Sequence, residues 1–441
     1  MSSVLLTGAT GFIGKVVLSE LLHRRDTDRV WLLIRPRRGQ SARERWARIR
    51  SSPALREVRN EAESKVKVLE GDIEQKGCGL SREAEHRFRH HSSATGAPEI
   101  TRVIHCAASV DFDLPLSQAF AINTRGSENV FELARSLPKL KRFTYVSTAY
   151  VHRYRSGPLA ERPVELPWSA AELGERLAAG ASSKRLLRES GYPNTYTLTK
   201  ALAESLLLSA SERGPNIVCP LTIVRPSIVS ACIERPFPGW LEGSAGLNGV
   251  VRLYGSGVLR TMVFDPSARL DVIPGDAVAQ HIVRATFERR FPTITHAVAG
   301  VRQALPLGEV AKQVIEFFEG RTVIRRPFAI STERRMGLRY WTISALFQIL
   351  PWAALAVASK LRGHHRDSHR LWALVKTLAT IGSTFGHFSR RTFDFEQSHS
   401  SIRLDAERYP RLICEAVATH LIRPIDSDDR TTSDQTRLAS L

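Results

Sequence analysis

Short apolar runs bounded by turn residues alternate with longer amphipathic stretches along the front of the chain. That is the pattern of parallel strands buried on both faces by crossover helices. The runs predict strands at 3–7, 29–34, 65–69, 102–106, 142–147 and 220–225, and the stretches predict helices at 11–24, 40–50, 81–90, 116–136 and 196–212. The expected fold class is α/β, a doubly wound parallel sheet whose ligands bind outside the carboxyl ends of the strands. After about Asp265 the rhythm changes: 276–288 and 307–319 read as helices, and beyond Pro327 no further βα unit is evident. The expected organisation is a dinucleotide-binding domain over 1–325, a smaller, mostly helical domain over 326–425, and a polar, disordered tail over 426–441. Within the helical part, 343–359 runs seventeen residues without a charge, interrupted by Gln348 and Pro351 and flanked by Arg339 and Lys360. It is short for a span of about 20 residues and reads as a buried core or tunnel helix, a shallow membrane contact, or a kinked span.

Composition narrows the class. With 441 residues, 43% hydrophobic and 24% charged, the chain can bury a large core, and it is not a disordered, collagen-like or polytopic membrane protein. The net charge of +19 is concentrated. From Arg35 to Arg59 there are nine Arg against Glu44 and Glu57, and from Arg321 to Arg391 thirteen Lys or Arg against Glu333 and Asp367. Such runs suit a phosphorylated ligand, an anionic membrane or nucleic acid, and are also what a merely solvated basic face looks like. Cys78, Cys106, Cys219, Cys232 and Cys414 show no CxxC spacing, so neither a zinc site nor a disulfide framework is expected. His365 and His369 have i,i+4 spacing but no HExxH glutamate, and no metal site is expected. The chain opens on an apolar run without a signal-peptide pattern and closes on Ala-Ser-Leu rather than Ser-Lys-Leu, so a cytosolic location is expected.

Three constellations carry chemistry. Thr7-Gly8-Ala9-Thr10-Gly11-Phe12-Ile13-Gly14 lies between the first strand and the first helix, where a phosphate-binding glycine loop belongs. Gly8 allows the turn, Gly11 the approach of a pyrophosphate, and Gly14 close helix–strand packing. After the second strand, where an acid would meet the ribose hydroxyls of NAD, stand Arg35, Arg37 and Arg38, so NADPH is the expected cofactor, with Arg35 and Arg38 on its 2′-phosphate. Asp72, in Gly71-Asp72-Ile73, is placed for the adenine edge or as a helix N-cap. Tyr196 and Lys200 share a helical face, and a nearby ammonium is expected to lower the phenol's pKa. Thr148, in Val146-Ser147-Thr148-Ala149, follows the fifth strand and can bond a reacting carbonyl oxygen; Ser147 competes, and strand alternation points the two apart.

These segments, with His105-Cys106-Ala107-Ala108, the run from Tyr192 to Glu204, and Ile223-Val224-Arg225-Pro226-Ser227-Ile228-Val229, resemble an extended short-chain dehydrogenase/reductase with a Rossmann domain, and more narrowly the fatty acyl-CoA reductases. The likeness covers roughly 3–300, and the part after Pro327, including Phe393-Asp394-Phe395, resembles the male-sterility-type C-terminal domain of those enzymes. That part departs from the family pattern, reading Phe393-Asp394-Phe395-Glu396-Gln397-Ser398-His399 where an aromatic, Phe and a later Asn are usual.

The resemblance implies that Thr148, Tyr196 and Lys200 are the catalytic triad. It also implies that Thr7, Gly8, Thr10, Gly11, Phe12, Ile13, Gly14, Asp72 and Ile73 hold the cofactor, and that Ala107, Ala108, Pro226, Ser227 and Ile228 lie at its nicotinamide end with Lys200. Asn123 matches a family asparagine that either satisfies helix backbone groups or takes part in the site. The implied reaction is reduction of a long-chain acyl-CoA through a hemithioacetal and a retained aldehyde to a primary alcohol, with CoA released and NADPH consumed twice. Aldehyde-forming reduction, a carrier-protein thioester, another dehydrogenase of the fold, and a non-catalytic NADPH-binding membrane scaffold are the alternatives. A peripheral membrane contact through the basic, apolar C-terminal part is expected, and a nucleic-acid partner is not. Acyl length and oligomeric state have no signature in the sequence.

Overall fold

Seven parallel strands carry the site: β1 (Ser2–Thr7), β2 (Thr27–Ile34), β3 (Val66–Glu70), β4 (Ile100–His105), β5 (Arg142–Val146), β6 (Leu221–Pro226) and β7 (Ile294–Ala297), in the order β7-β6-β5-β4-β1-β2-β3. The computed structural model describes residues 2–90, 100–212, 220–320, 331–333, 337–398 and 402–422. The six expected strands are all present, displaced by at most two residues. β7 is additional. Its Ile-Thr-His-Ala carries too few apolar residues to announce a strand, and it is a strand because β6 offers an open edge, pairing Ile294 with Ile223.

Alternation along β1 divides the core. Val4 and Leu6 pack on one face with the helices Phe12–His23 and Gly275–Phe287. Leu5 packs on the other with Val103, Phe143, Phe131 of Gly126–Arg135 and Leu207 of Thr195–Glu212. A third cluster, with Phe120, Leu173, Leu186 and Tyr192, seats Leu198 and Leu202 of Thr195–Glu212. The short helices Ala170–Ala178 and Ser183–Ser190 that supply it have no counterpart in the expected elements. The expected helix at 116–136 is interrupted by a π-helical turn at Ala121–Arg125.

The chain does not divide by a single cut at 325, a position that lies outside the described residues. One compact unit takes the described residues of 2–240, 272–300 and 394–403, the other those of 241–271, 301–393 and 404–422. The second unit starts early because Leu247–Gly255 and Leu307–Phe318 pack on the C-terminal helix Arg408–His420. There Gly255 lies so close to Phe318 that a Cβ would meet its ring at 2.5 Å. This unit is mostly helical, with two short strand pairs and a hairpin of Leu338–Leu361 and His365–Ser389. Pro351 does not break Leu338–Leu361, because a π-helical turn at Ser344–Ile349 precedes it and absorbs the missing N–H. The expected tail over 426–441 lies outside the described residues.

Candidate active site

β1 and β4 are neighbours whose following chains diverge, the switch point at which such sheets open a crevice. The glycine loop fills its floor. Gly8 has φ +79°, and a Cβ on it would lie 2.6 Å from Ala107 N; a Cβ on Gly14 would meet Gly8 O at 2.1 Å. Gly11 differs, because the nearest protein atom to its Cβ position is Gly8 O at 3.5 Å, so the space before it is open. Thr7 is fully buried and acts as a fastener. Its Oγ1 accepts from Ala107 N at 3.2 Å and lies 2.7 Å from His105 Nδ1, while His105 Nε2 lies 3.0 Å from Ser127 Oγ, which donates to Asn123 O at 2.6 Å. Burial, and then the charge of Lys200, lower His105 to about 3, so the ring is neutral and joins the chain with one donor and one acceptor nitrogen.

The cleft above the loop has a volume of about 220 Å³. Of the expected cofactor residues, Gly8, Thr10, Gly11, Arg35, Asp72, Ile73, Ala107 and Ala108 line it. Phe12 and Ile13 instead pack on the core. Arg38 is exposed with φ 54° and is not among the lining residues; Arg37 and Arg45 are. Arg35 pairs with Glu74 and, at 3.6 Å, with Asp72, and Arg45 donates to the Arg35 carbonyl. Burial first, then the guanidinium groups of Arg37, Arg35 and Arg48, hold Arg45 below the ordinary arginine range. Asp72 caps a turn rather than a helix, accepting from Glu74 N at 3.1 Å. Asn123 is spent on structure: it accepts from Ser109 N at 2.8 Å and donates to Ser109 O and Thr199 Oγ1, both at 3.1 Å.

At the end of β5 the three expected catalytic residues converge. Thr148 Oγ1 accepts from Tyr150 N at 3.3 Å, reaches Pro226 O at 3.4 Å and is hydrogen-bonded to the Tyr196 phenol. Ser147 Oγ is buried and has no partner among the described residues. Pro226 thus borders the site, whereas Ser227 N bonds Ala297 O at 3.1 Å and Ile228–Ser230 pairs with Val272–Pro274. Tyr196 departs from expectation. Burial pushes its phenol up to about 12, with only the Thr148 bond opposing. Lys200 does not lower it, because the amine donates to Val146 O at 2.6 Å and sits 4.1 Å from the centre of the Tyr145 ring. Burial lowers Lys200 itself to about 7, and the Glu204 carboxylate opposes that shift.

Two supports escape sequence reasoning. Glu204, one turn after Lys200, is buried against Arg225 through bonds of 3.0, 3.2 and 2.6 Å, and Arg225 also reaches His152 Nε2 at 3.1 Å and Arg162 O at 3.0 Å. The segment 394–398 returns to this cluster. Leu159 N bonds Asp394 O at 2.7 Å, Glu396 N bonds Leu159 O at 3.0 Å, and Ser398 bonds Glu161. Phe395 packs edge-on against Tyr150 and His296.

A family model described as male sterility protein, an NAD(P)-binding domain, matches residues 6–282. The chain belongs to the male sterility protein family. Among this family member's curated relatives are fatty acyl-CoA reductase 2 of Bos taurus, 29% identical over 357 residues, and fatty acyl-CoA reductase 1 of Xenopus laevis, 32% identical over 357 residues. Each alignment covers 77% of this chain and 66% of the relative, so the chain spans just under two thirds of their length. The terminal R domain from the myxalamid PKS-NRPS biosynthetic pathway shares the fold, with a TM-score of 0.62 and 24% identity over 95% of this chain and 90% of that domain.

Proposed function

We propose that this male sterility family member is a cytosolic, NADPH-dependent fatty acyl-CoA reductase that forms primary alcohols. The observation that carries the reading is the convergence of Thr148, Tyr196 and Lys200 beyond the end of β5. The relatives named fatty acyl-CoA reductases supply the substrate class.

The cleft fits the cofactor. It offers open space before Gly11, the N-terminus of Phe12–His23 for a pyrophosphate, and Arg45, crowded by the positive charges of Arg37 and Arg35, which a 2′-phosphate would relieve. NADPH, when bound, supplies hydride. The protein's own groups handle the oxygen. Tyr196 remains protonated through the neutral range and gives its phenolic proton to the thioester carbonyl oxygen, takes it back from the hemithioacetal hydroxyl as the C–S bond breaks and CoA leaves as thiolate, and gives it again to the oxygen of the aldehyde. Thr148 orients the phenol, and Lys200 would hold the nicotinamide ribose.

The test is NADPH oxidation by the purified protein with a series of acyl-CoAs, counting NADPH per CoA released and identifying the products. Two NADPH per CoA with primary alcohol supports the reading. One per CoA with free aldehyde assigns a single-step reductase, and no turnover despite NADPH binding overturns it. Tyr196→Phe lowers turnover by about 10²–10⁴ with NADPH affinity kept.

A further inference from the structure

The helix Leu338–Leu361 carries its polarity inside out. The row that faces its own unit is Tyr340, Ser344, Gln348, Trp352 and Ala356, spaced by four. Ser344 and Gln348 in it are polar, and Gln348 is fastened by three bonds: Oε1 accepts from Arg260 N at 2.9 Å and Thr261 N at 3.2 Å, and Nε2 donates to Leu378 O at 3.3 Å. The outward face holds Leu338 at 86% exposed, Trp341 at 47%, Phe347 at 52%, Leu350 at 54% and Leu361 at 83%. A water-facing helix shows the reverse arrangement. Only 22% of its most apolar stretch is buried.

The charges along this hairpin are predominantly basic. Arg339 stands at one end of the helix and Lys360 and Arg362 at the other, all exposed. The antiparallel helix His365–Ser389 adds exposed Arg366, Arg370 and Lys376, with Trp372 exposed beside them. Between 337 and 390 the only acid is Asp367, and it pairs with Arg370 at 3.8 Å. We infer that this hairpin docks on an anionic lipid bilayer, with the outward face of Leu338–Leu361 in the boundary between headgroups and acyl chains and the basic ends on the headgroups. The bonds of Gln348 and the Ser368 bond to Ala356 O, 2.8 Å, tie the inward row to the protein, so the helix lies along the membrane rather than across it. A second copy of the chain suits the face less well: a two-fold contact sets Arg339 against either Arg339 or Lys360 and Arg362 of the other copy.

Co-sedimentation of the full chain with vesicles tests this, and it is read without turnover, so it stands or falls apart from acyl reduction. Binding to phosphatidylcholine vesicles containing phosphatidylserine is expected to exceed binding to phosphatidylcholine alone. Lys360→Ala and Arg362→Ala should each weaken it about five-fold. Phe347→Glu with Leu350→Glu, both on the exposed face, should abolish it. As a conservative check, brominated phosphatidylcholine mixed with phosphatidylserine should quench wild-type fluorescence more than that of Trp341→Phe. Equal binding to both vesicle types, or no binding by a monomer, overturns the proposal. No binding by a dimer that Phe347→Glu dissociates overturns it in favour of a second copy.

Discussion

Arg225→Met is the sharpest perturbation of the catalytic surroundings that touches none of the proposed catalytic residues. The guanidinium and the Glu204 carboxylate are 0% and 1% exposed and are joined by three hydrogen bonds. Removing the cation leaves the buried Glu204 side chain without its counter-ion, which costs about 3–5 kcal/mol. At about 2–4 °C per kcal/mol for a unit of this size, melting should fall by roughly 6–20 °C. Glu204→Met on the same background removes the stranded charge and should restore most of the loss. About 1–2 kcal/mol should stay missing, because His152 Nε2 and Arg162 O lose their shared donor. Urea denaturation followed by circular dichroism on the wild type, both single variants and the double variant closes the cycle. A single variant within about 1 kcal/mol of wild type, or a double variant no more stable than Arg225→Met, would refute the view that this pair supports the Lys200 helix.

Other outcomes follow from the site. Lys200 falls from its ordinary 10.5 to about 7, so between those values the unfolded chain binds the extra proton and the folded state gains stability as pH rises. The urea midpoint of wild type should therefore climb relative to Lys200→Met across that window; a constant gap would show an ordinary lysine. Gly14→Ala drives a methyl into Gly8 O and should cost about 1–3 kcal/mol, whereas Gly11→Ala should keep the melting temperature and lose dinucleotide affinity by isothermal titration. Arg37→Ala with Arg45→Ala should shift preference from NADPH toward NADH, with Arg38→Ala leaving the ratio unchanged, as measured by kcat/KM for each cofactor.

The sheet is legible in the sequence because Val4-Leu5-Leu6 and its counterparts are buried on both faces and so read as continuous apolar runs. β7 is not legible, since its strand character comes from β6. The Tyr196–Lys200 spacing announces a shared helix face but says nothing of depth. It is depth that raises the phenol and sends the amine to Val146 O. The arginine run signals an anion site, yet the left-handed backbone at Arg38 takes that side chain away and the capped helix Ala42–Arg50 brings Arg45 in, a choice made by local geometry. The bond between Leu159 and Asp394 joins positions 235 apart, beyond any periodic signal.

That last contact has a consequence for biosynthesis. β7 ends at Ala297, and the segment beginning at Asp394 emerges about 100 residues later, a delay of roughly 5–20 s at 5–20 residues per second. Throughout it the nascent sheet, glycine loop and Tyr196 are already made, while Glu161, His296 and the edge of Tyr150 await Ser398 and Phe395. Any premature stop in that interval yields a chain with every proposed catalytic residue and an uncovered cluster beside them, which gives cellular proteases a way to distinguish a finished polypeptide from a truncated one.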